Sequence, residues 1–212
     1  TIEVMEKTGE KVWKEGQEQP IEKADQSLKK KAVKHPQETT DNSLLNVESI
    51  LEKAKKTKIP SGIKPMLATL VDGPFDDPEW VYEVKWDGYR ALGFINEGKA
   101  DLLSRNNKSF NDKFYPIVKV LKSWNINAVM DGEIIVVNEK GISNFGNLQN
   151  WRSEADGELV FYVFDLLWYQ GRSLIDISLT LRQKILREIL PADDDSIRLS
   201  KVFNANGIEF FK

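Results

Sequence analysis

The stretch Trp80-Val81-Tyr82-Glu83-Val84-Lys85-Trp86-Asp87-Gly88-Tyr89-Arg90 decides how this chain is read. Residues 80–86 alternate: Val81, Glu83 and Lys85 fall on one face of an extended strand, and Tyr82, Val84 and Trp86 on the other. Asp87-Gly88 is a turn pair that can bring backbone close to a ligand. The pattern predicts a strand over 80–86 and a second over 89–95. Asn96-Glu97-Gly98-Lys99 reads as a further turn, and 100–104 as a third strand. Farther along, Phe114, Ile117, Val118 and Leu121 recur at helical spacing, with Pro116 tolerated because it falls in the first turn. Residues 128–138 read as a strand, 159–168 as a long apolar strand, and 179–190 as an amphipathic helix. This mixture implies an α+β domain whose largely antiparallel sheets line a cleft.

Upstream of Pro60 the texture is different. Residues 1–58 hold 12 lysines and 11 acidic residues, so the stretch is polyampholytic and not strongly basic. Such a composition buries little apolar surface, and 1–60 reads as a linker or disordered arm. Within it, Leu44, Leu45, Val47, Ile50 and Leu51 could line one face of a short helix over 43–56. The expected division is therefore an arm, 1–60, and a folded body, 61–212.

Composition removes several chemistries. The 212 residues include no cysteine, which excludes disulfides, thiolate metal sites and cysteine nucleophiles. The one histidine, His35, sits in a polar stretch. Net charge is −3, with no bulk signature of nucleic-acid binding. No apolar run approaches the roughly 20 residues that span a bilayer. The charged start, Thr1–Glu10, is not a signal peptide, and without a starting Met the chain is expected to begin inside a longer protein.

Lys85 is the chemical centre of the quoted stretch. A lysine on a strand is ordinarily a solvated charge. This one shares a face with Glu83 and is followed by Asp87, Gly88 and Arg90. An amine attacks only when neutral, and free lysine, with a pKa of about 10.4, is almost wholly charged at neutral pH. A neighbouring cation, a metal or desolvation activates such a group. Attack on the α-phosphate of ATP would give a lysyl phosphoramidate and pyrophosphate.

Lys85-x-Asp87-Gly88-x-Arg90 resembles the signature of covalent nucleotidyltransferases, the ATP-dependent DNA ligases, RNA ligases and mRNA capping enzymes. Ser104-Arg105-Asn106 resembles the second motif of that group, which implies an arginine near the phosphates or the nick. Asp131-Gly132-Glu133 resembles the third, whose glutamate holds the ribose. Phe161-Tyr162-Val163-Phe164-Asp165 resembles the next, whose phenylalanine stacks on the purine. The chemistry suits the residues. Glu133 can accept from hydroxyls, Phe164 offers a flat stacking face, and Arg90 and Arg105 offer planar forks for oxygen ligands. Each also has a plainer reading: a carboxylate beside a turn, a core aromatic, surface ion pairs. The order of the four motifs is what favours the functional reading.

Lys64-Pro65-Met66-Leu67-Ala68-Thr69-Leu70, the stretch 80–90, Phe164-Asp165-Leu166-Leu167-Trp168 with Gly171-Arg172, and Phe145 with Leu148-Gln149 are most similar to the bacterial end-joining ligases (the LigD type). That likeness covers about 63–212. It implies the ligase adenylation fold, ATP-grasp-like, with antiparallel sheets around a nucleotide cleft. It also implies ATP as AMP donor, Mg2+, nicked or broken double-stranded DNA as substrate, a Ku-type end-binding partner, and a cytoplasmic, nucleoid-associated setting. Metal ligands are unknown from the sequence. Basic contacts to DNA would come from patches such as Lys108, Lys113, Lys119 and Lys122, which read equally well as a solvated helix face.

The resemblance is incomplete at the C-terminus. The family pattern continues with an E-G-x-x-x-K motif, a lysine-rich strand and an OB-fold domain, none of which occurs before Lys212. Gly207–Lys212 resembles the helix leading into them. The 212 residues alone are therefore expected to have weak or no activity. An RNA ligase or capping nucleotidyltransferase, or a non-catalytic nucleotide-binding or DNA-end scaffolding module, are the alternatives. The gene sequence beyond Lys212 discriminates the last of these.

Overall fold

The computed structural model describes residues 46–78, 80–138, 142–191, 195–203 and 207–211. Most of the arm, the proposed helix residues 43–45 included, lies outside them.

A central antiparallel sheet is built from β3 (Tyr89–Asn96), β4 (Lys99–Ser104), β5 (Ala128–Val137) and β6 (Glu158–Tyr169). β3 and β4 form a hairpin. Its turn places Glu97 at φ 51° and Gly98 at φ 73°, the paired positive angles that keep a two-residue hairpin in step with strand twist. β5 lies between β3 and β6. Ala128, Met130, Ile134 and Val136 of β5 enter the main core, while Val129, Ile135 and Val137 pack on the opposite face. That two-sided burial explains a strand hydrophobic along nearly its whole length.

The main core is closed by helices. α2 (Tyr115–Ser123) buries Ile117, Val118 and Leu121 against β4, β3 and β6. Pro116 sits in its first turn, as expected. α3 (Phe145–Asn150) is capped by Asn144, whose side chain accepts from the Asn147 N–H. α4 (Leu179–Ile189) buries Leu181, Ile185 and Leu186 and runs along β6. The far edge of β6 is covered in two pieces. β7 (Arg172–Ser173) pairs with its C-terminal end, and β8 (Ile197–Leu199) pairs in parallel with Phe161–Val163.

Two departures from the sequence pattern bear on the site. First, the strand expected over 80–86 is only β2 (Tyr82–Glu83), paired with β9 (Val202–Phe203) in a separate two-stranded sheet. The alternation is real, but Trp80, Val81 and Val84 stay exposed, so no buried face extends the strand. Asp87-Gly88 is correspondingly not a hairpin turn between 80–86 and β3; it carries the chain from the small sheet to the large one. Gly88 is required there because a Cβ would lie 2.1 Å from the Ile134 carbonyl oxygen on β5. Second, residues 46–58, read from composition as arm, pack on the body. α1 (Val47–Lys53) inserts Ile50, fully buried, into the main core. β1 (Lys55–Lys56) pairs with β7, and Trp168 donates its indole N–H to Thr57 at 3.1 Å. The C-terminal helix expected near 207–212 is α5 (Gly207–Phe211).

Candidate nucleotide site

The sheet face away from the main core carries a polar band between two apolar patches. Leu92, Val129, Leu167 and Trp168 form one patch, and Ile135, Val137 and Val160 with Trp86 and Tyr162 the other. Between them stand Arg90 of β3 and Glu133 of β5, directly opposite in register, and Asp131 opposite Asp165 of β6.

β6 owes its shape here to two bulges. Gly132 faces Val163 while Asp131 faces Asp165, so Phe164 is an extra residue; Leu167 is the second. A bulge re-aims side chains without ending the strand. The arrangement leaves Phe164 half-buried, with the Arg90 guanidinium 5.1 Å from its ring centroid. Arg90 is held in place by a two-pronged pair with Asp131, Nε to Oδ1 at 3.0 Å and NH2 to Oδ2 at 2.8 Å. It donates also to the Met66 carbonyl at 2.7 Å, which ties the segment before β2 to the band.

The carboxylates are perturbed by this setting. Burial pushes Glu133 up to about 7; Asp131 adds to the rise, while Arg90, Lys85 and the Gly88 N–H oppose it. Burial likewise raises Asp131, with Arg90 opposing. Glu83 is raised by burial against the opposing hydrogen bond from Gln183. Asp165 is paired with Arg182 of α4 at 2.6 and 2.9 Å, both side chains nearly buried, and Arg182 donates also to the Ile177 carbonyl.

Arg90, Glu133 and Phe164 share the band, and the Gly88 backbone and the Lys85 charge both act on Glu133. Lys85 lies just past β2 and is exposed, as is Asp87. Glu83 is tied to the band through Gln183, which donates to it at 2.6 Å and to the Phe164 carbonyl at 3.2 Å. Arg105 follows β4 and, with Ser104, Asn106, Asn107, Lys64, Pro65 and Leu67, lines a cleft of about 580 Å³; Pro65 and Leu67 flank Met66, whose carbonyl accepts from Arg90. Of the proposed basic patch, Lys113 is engaged, donating to the Gln149 carbonyl at 3.0 Å and lying 5.3 Å from the Tyr89 and Phe114 rings. Lys108, Lys119 and Lys122 are exposed.

Asp131, Gln183 and the Trp86–Tyr162 stack, with ring centroids 3.8 Å apart, were not among the residues singled out from sequence. Asp131 stood inside the quoted Asp131-Gly132-Glu133. Gln183 carried no signal, since a glutamine in an amphipathic helix reads as its solvent face. Among the described residues no group of three or more acidic or histidine side chains comes together that could hold a cation.

Residues 65–212 match the family model of the ATP dependent DNA ligase domain. The chain belongs to the ATP-dependent DNA ligase family. This ligase domain is 38% identical, over 68% of its length, to the multifunctional non-homologous end joining protein LigD of Pseudomonas aeruginosa, and covers 18% of that protein. It is 34% identical over 65% of its length to LigD of Mycolicibacterium smegmatis, again covering 18%. Among solved structures it is similar to a mycobacterial DNA ligase D complexed with ATP and MES (29% identity, TM-score 0.60, 70% of this chain and 48% of that one). The ligase domain from M. tuberculosis LigD gives 29% identity and a TM-score of 0.55 over 65% of this chain and 45% of that one. The chain spans about a fifth of the length of the LigD proteins it matches. The ligase adenylation fold expected from the motif order is thus the fold observed. No helix among the described residues is long and apolar enough to cross a membrane.

Proposed function

We propose that this chain is the nucleotide-binding part of a DNA ligase that joins broken ends, and that Lys85 receives AMP from ATP. The reading is carried by one juxtaposition: Arg90, Glu133 and Phe164 on a single sheet face, with the Lys85 charge acting on the Glu133 carboxyl. Phe164 supplies a platform for the purine. Glu133 accepts from the ribose hydroxyls, and Arg90, fixed by Asp131, lies beside both. Asp87 and Gly88 shape the backbone past the nucleophile, and Glu83 borders the pocket from β2. Lys85 Nζ, having lost its proton, forms a bond to the α-phosphorus as the bond to the pyrophosphate oxygen breaks. AMP then passes to the 5′-phosphate of a nick, and the 3′-hydroxyl displaces it.

ATP enters as its magnesium complex, a form of the substrate. Arg105, in a cleft with Lys64, is suited to phosphate oxygens of the DNA. The likeness to bacterial end-joining proteins supports a cytoplasmic, nucleoid-associated setting and a Ku-type partner at the DNA end.

The test is label transfer from α-labelled ATP to the full-length gene product, with mass spectrometry to locate the adduct. AMP on Lys85, lost in Lys85→Ala, is the expected result; an adduct elsewhere, or none, refutes the assignment. A preference for GTP would favour a capping enzyme.

A further inference from the structure

Gln183 is only 3% exposed, although a glutamine on α4 has no core of its own to join. Its side-chain nitrogen donates to Glu83 Oε1 at 2.6 Å and to the Phe164 carbonyl at 3.2 Å. The two acceptors belong to different sheets. Phe164 is the bulge residue of β6, and its carbonyl falls in a gap in that strand's outer edge. On one side of the gap the Ser200 N–H donates to the Val163 carbonyl, and on the other the Leu174 N–H donates to the Leu167 carbonyl. Neither neighbour strand reaches Phe164. Gln183 fills the gap and uses its second N–H to reach across to β2.

That reach has a consequence for Lys85. β2 has just two paired residues, and Lys85 follows two positions later in exposed chain. C-terminal to it, Trp86 stacks on Tyr162 and donates its indole N–H to Ser200 Oγ at 3.2 Å. Lys85 therefore sits between two holds, Glu83–Gln183 before it and Trp86–Tyr162 after it. The first hold runs from the nucleophile's strand to the backbone of the base platform. A neutral amide suits the task, since it offers two N–H donors and adds no charge beside the nucleophile.

We propose that Gln183 is a positioning residue for lysine adenylation, fixing the spacing between Lys85 and the Phe164 platform through Glu83. This rests on the reading of Lys85 as the residue that takes AMP. Such spacing matters because a misplacement of about 1 Å can cost ~100-fold in rate.

The experiment compares wild type, Gln183→Leu and Gln183→Asn in the full-length gene product. Gln183→Leu removes both donors at similar volume; Gln183→Asn keeps the amide but is too short to span both acceptors, and covers the case in which the leucine variant does not fold. The single-turnover rate of Lys85–AMP formation at saturating ATP is expected to fall about 10- to 100-fold. The ATP dissociation constant is expected to change less than about threefold, since no nucleotide contact is removed. A rate per folded molecule within about twofold of wild type, or a loss that higher ATP restores, overturns the proposal. Hydrogen exchange of the Tyr82 and Glu83 amides of β2, read by mass spectrometry without nucleotide, is the second arm. About tenfold faster exchange in the variants is expected, and unchanged exchange overturns the proposal even with no catalysis measured. Absence of Lys85–AMP in wild type would sink the functional reading instead, leaving the exchange arm to decide the clamp.

Discussion

Arg90 and Asp131 meet edge to edge, with both carboxylate oxygens taken by one guanidinium and Asp131 fully buried. The pair joins β3 to β5 beside the Phe164 ring, so Arg90 is a structural fixture of the sheet. Removing Arg90 would strand a carboxylate that burial already pushes up. Arg90→Met is expected to destabilise the protein by on the order of 3 kcal/mol, the usual cost of breaking a buried pair from one side. Asp131→Asn, which keeps an acceptor and discards the buried charge, is expected to cost clearly less. Urea unfolding of the two variants at neutral pH compares them; equal midpoints would mean that the pair does not carry this energy.

Much of the body was legible because buried elements carry sustained or periodic apolar patterns. The pattern over 128–138 differs from β5 by one residue at its end, and that over 179–190 differs equally little from α4; β5 is apolar along nearly its whole length because both its faces are buried, and α4 repeats one apolar face. The outer positions were harder. The short helix expected within 43–56 is α1, but the lysines between 53 and 58 hid that Ile50 and Ala54 seat it in the main core. The span 80–86 alternates like a strand, but only Tyr82 and Glu83 find a partner, and that partner is more than a hundred residues away in sequence. For the proposed site, Arg90, Glu133 and Phe164 were singled out through the order of motifs and not through any local pattern. The bulge that aims Phe164 leaves no mark in an apolar run, and the tie through Gln183 depends on two sheets meeting one helix. Arg105 was expected near the phosphates or the nick, and it lines a cleft with Lys64 and the loop after β4.

Glu133 sets a pH dependence whose sign follows from its environment. Its ordinary value of 4.5 is pushed up to about 7 in the folded protein. Between those values the folded state keeps a proton that the unfolded state has released. Stability contributed by this group is therefore fully present below about pH 4.5 and lost as pH rises through about 7. The span corresponds to at most on the order of 3 kcal/mol. Glu133→Gln is expected to flatten this part of the profile and to be more stable than wild type at pH 8. Asp131 and Glu83, also raised, leave a residual slope of the same sign. Unfolding free energies between pH 5 and 8 provide the check, and parallel profiles for variant and wild type would contradict the assignment.

Phe164 offers the sharpest separation of binding from fold. The ring is half-buried at a bulge and touches the guanidinium of Arg90, so its truncation opens little of the main core, which lies on the other side of the sheet. Base–aromatic stacking is worth ~1–3 kcal/mol and hardly distinguishes one base from another. Phe164→Ala should therefore weaken ATP binding by roughly 5- to 150-fold, and GTP binding, where it can be measured, by the same factor. Phe164→Tyr keeps a π face and should retain most of the affinity. Gln183 bonds to the Phe164 carbonyl, not to its side chain, so the clamp on Glu83 should survive both substitutions. Calorimetric titration of ATP and GTP into the three proteins tests the set. Selective loss of ATP over GTP would show that the ring reads the base's edge and not its face, contrary to the stacking role proposed for it.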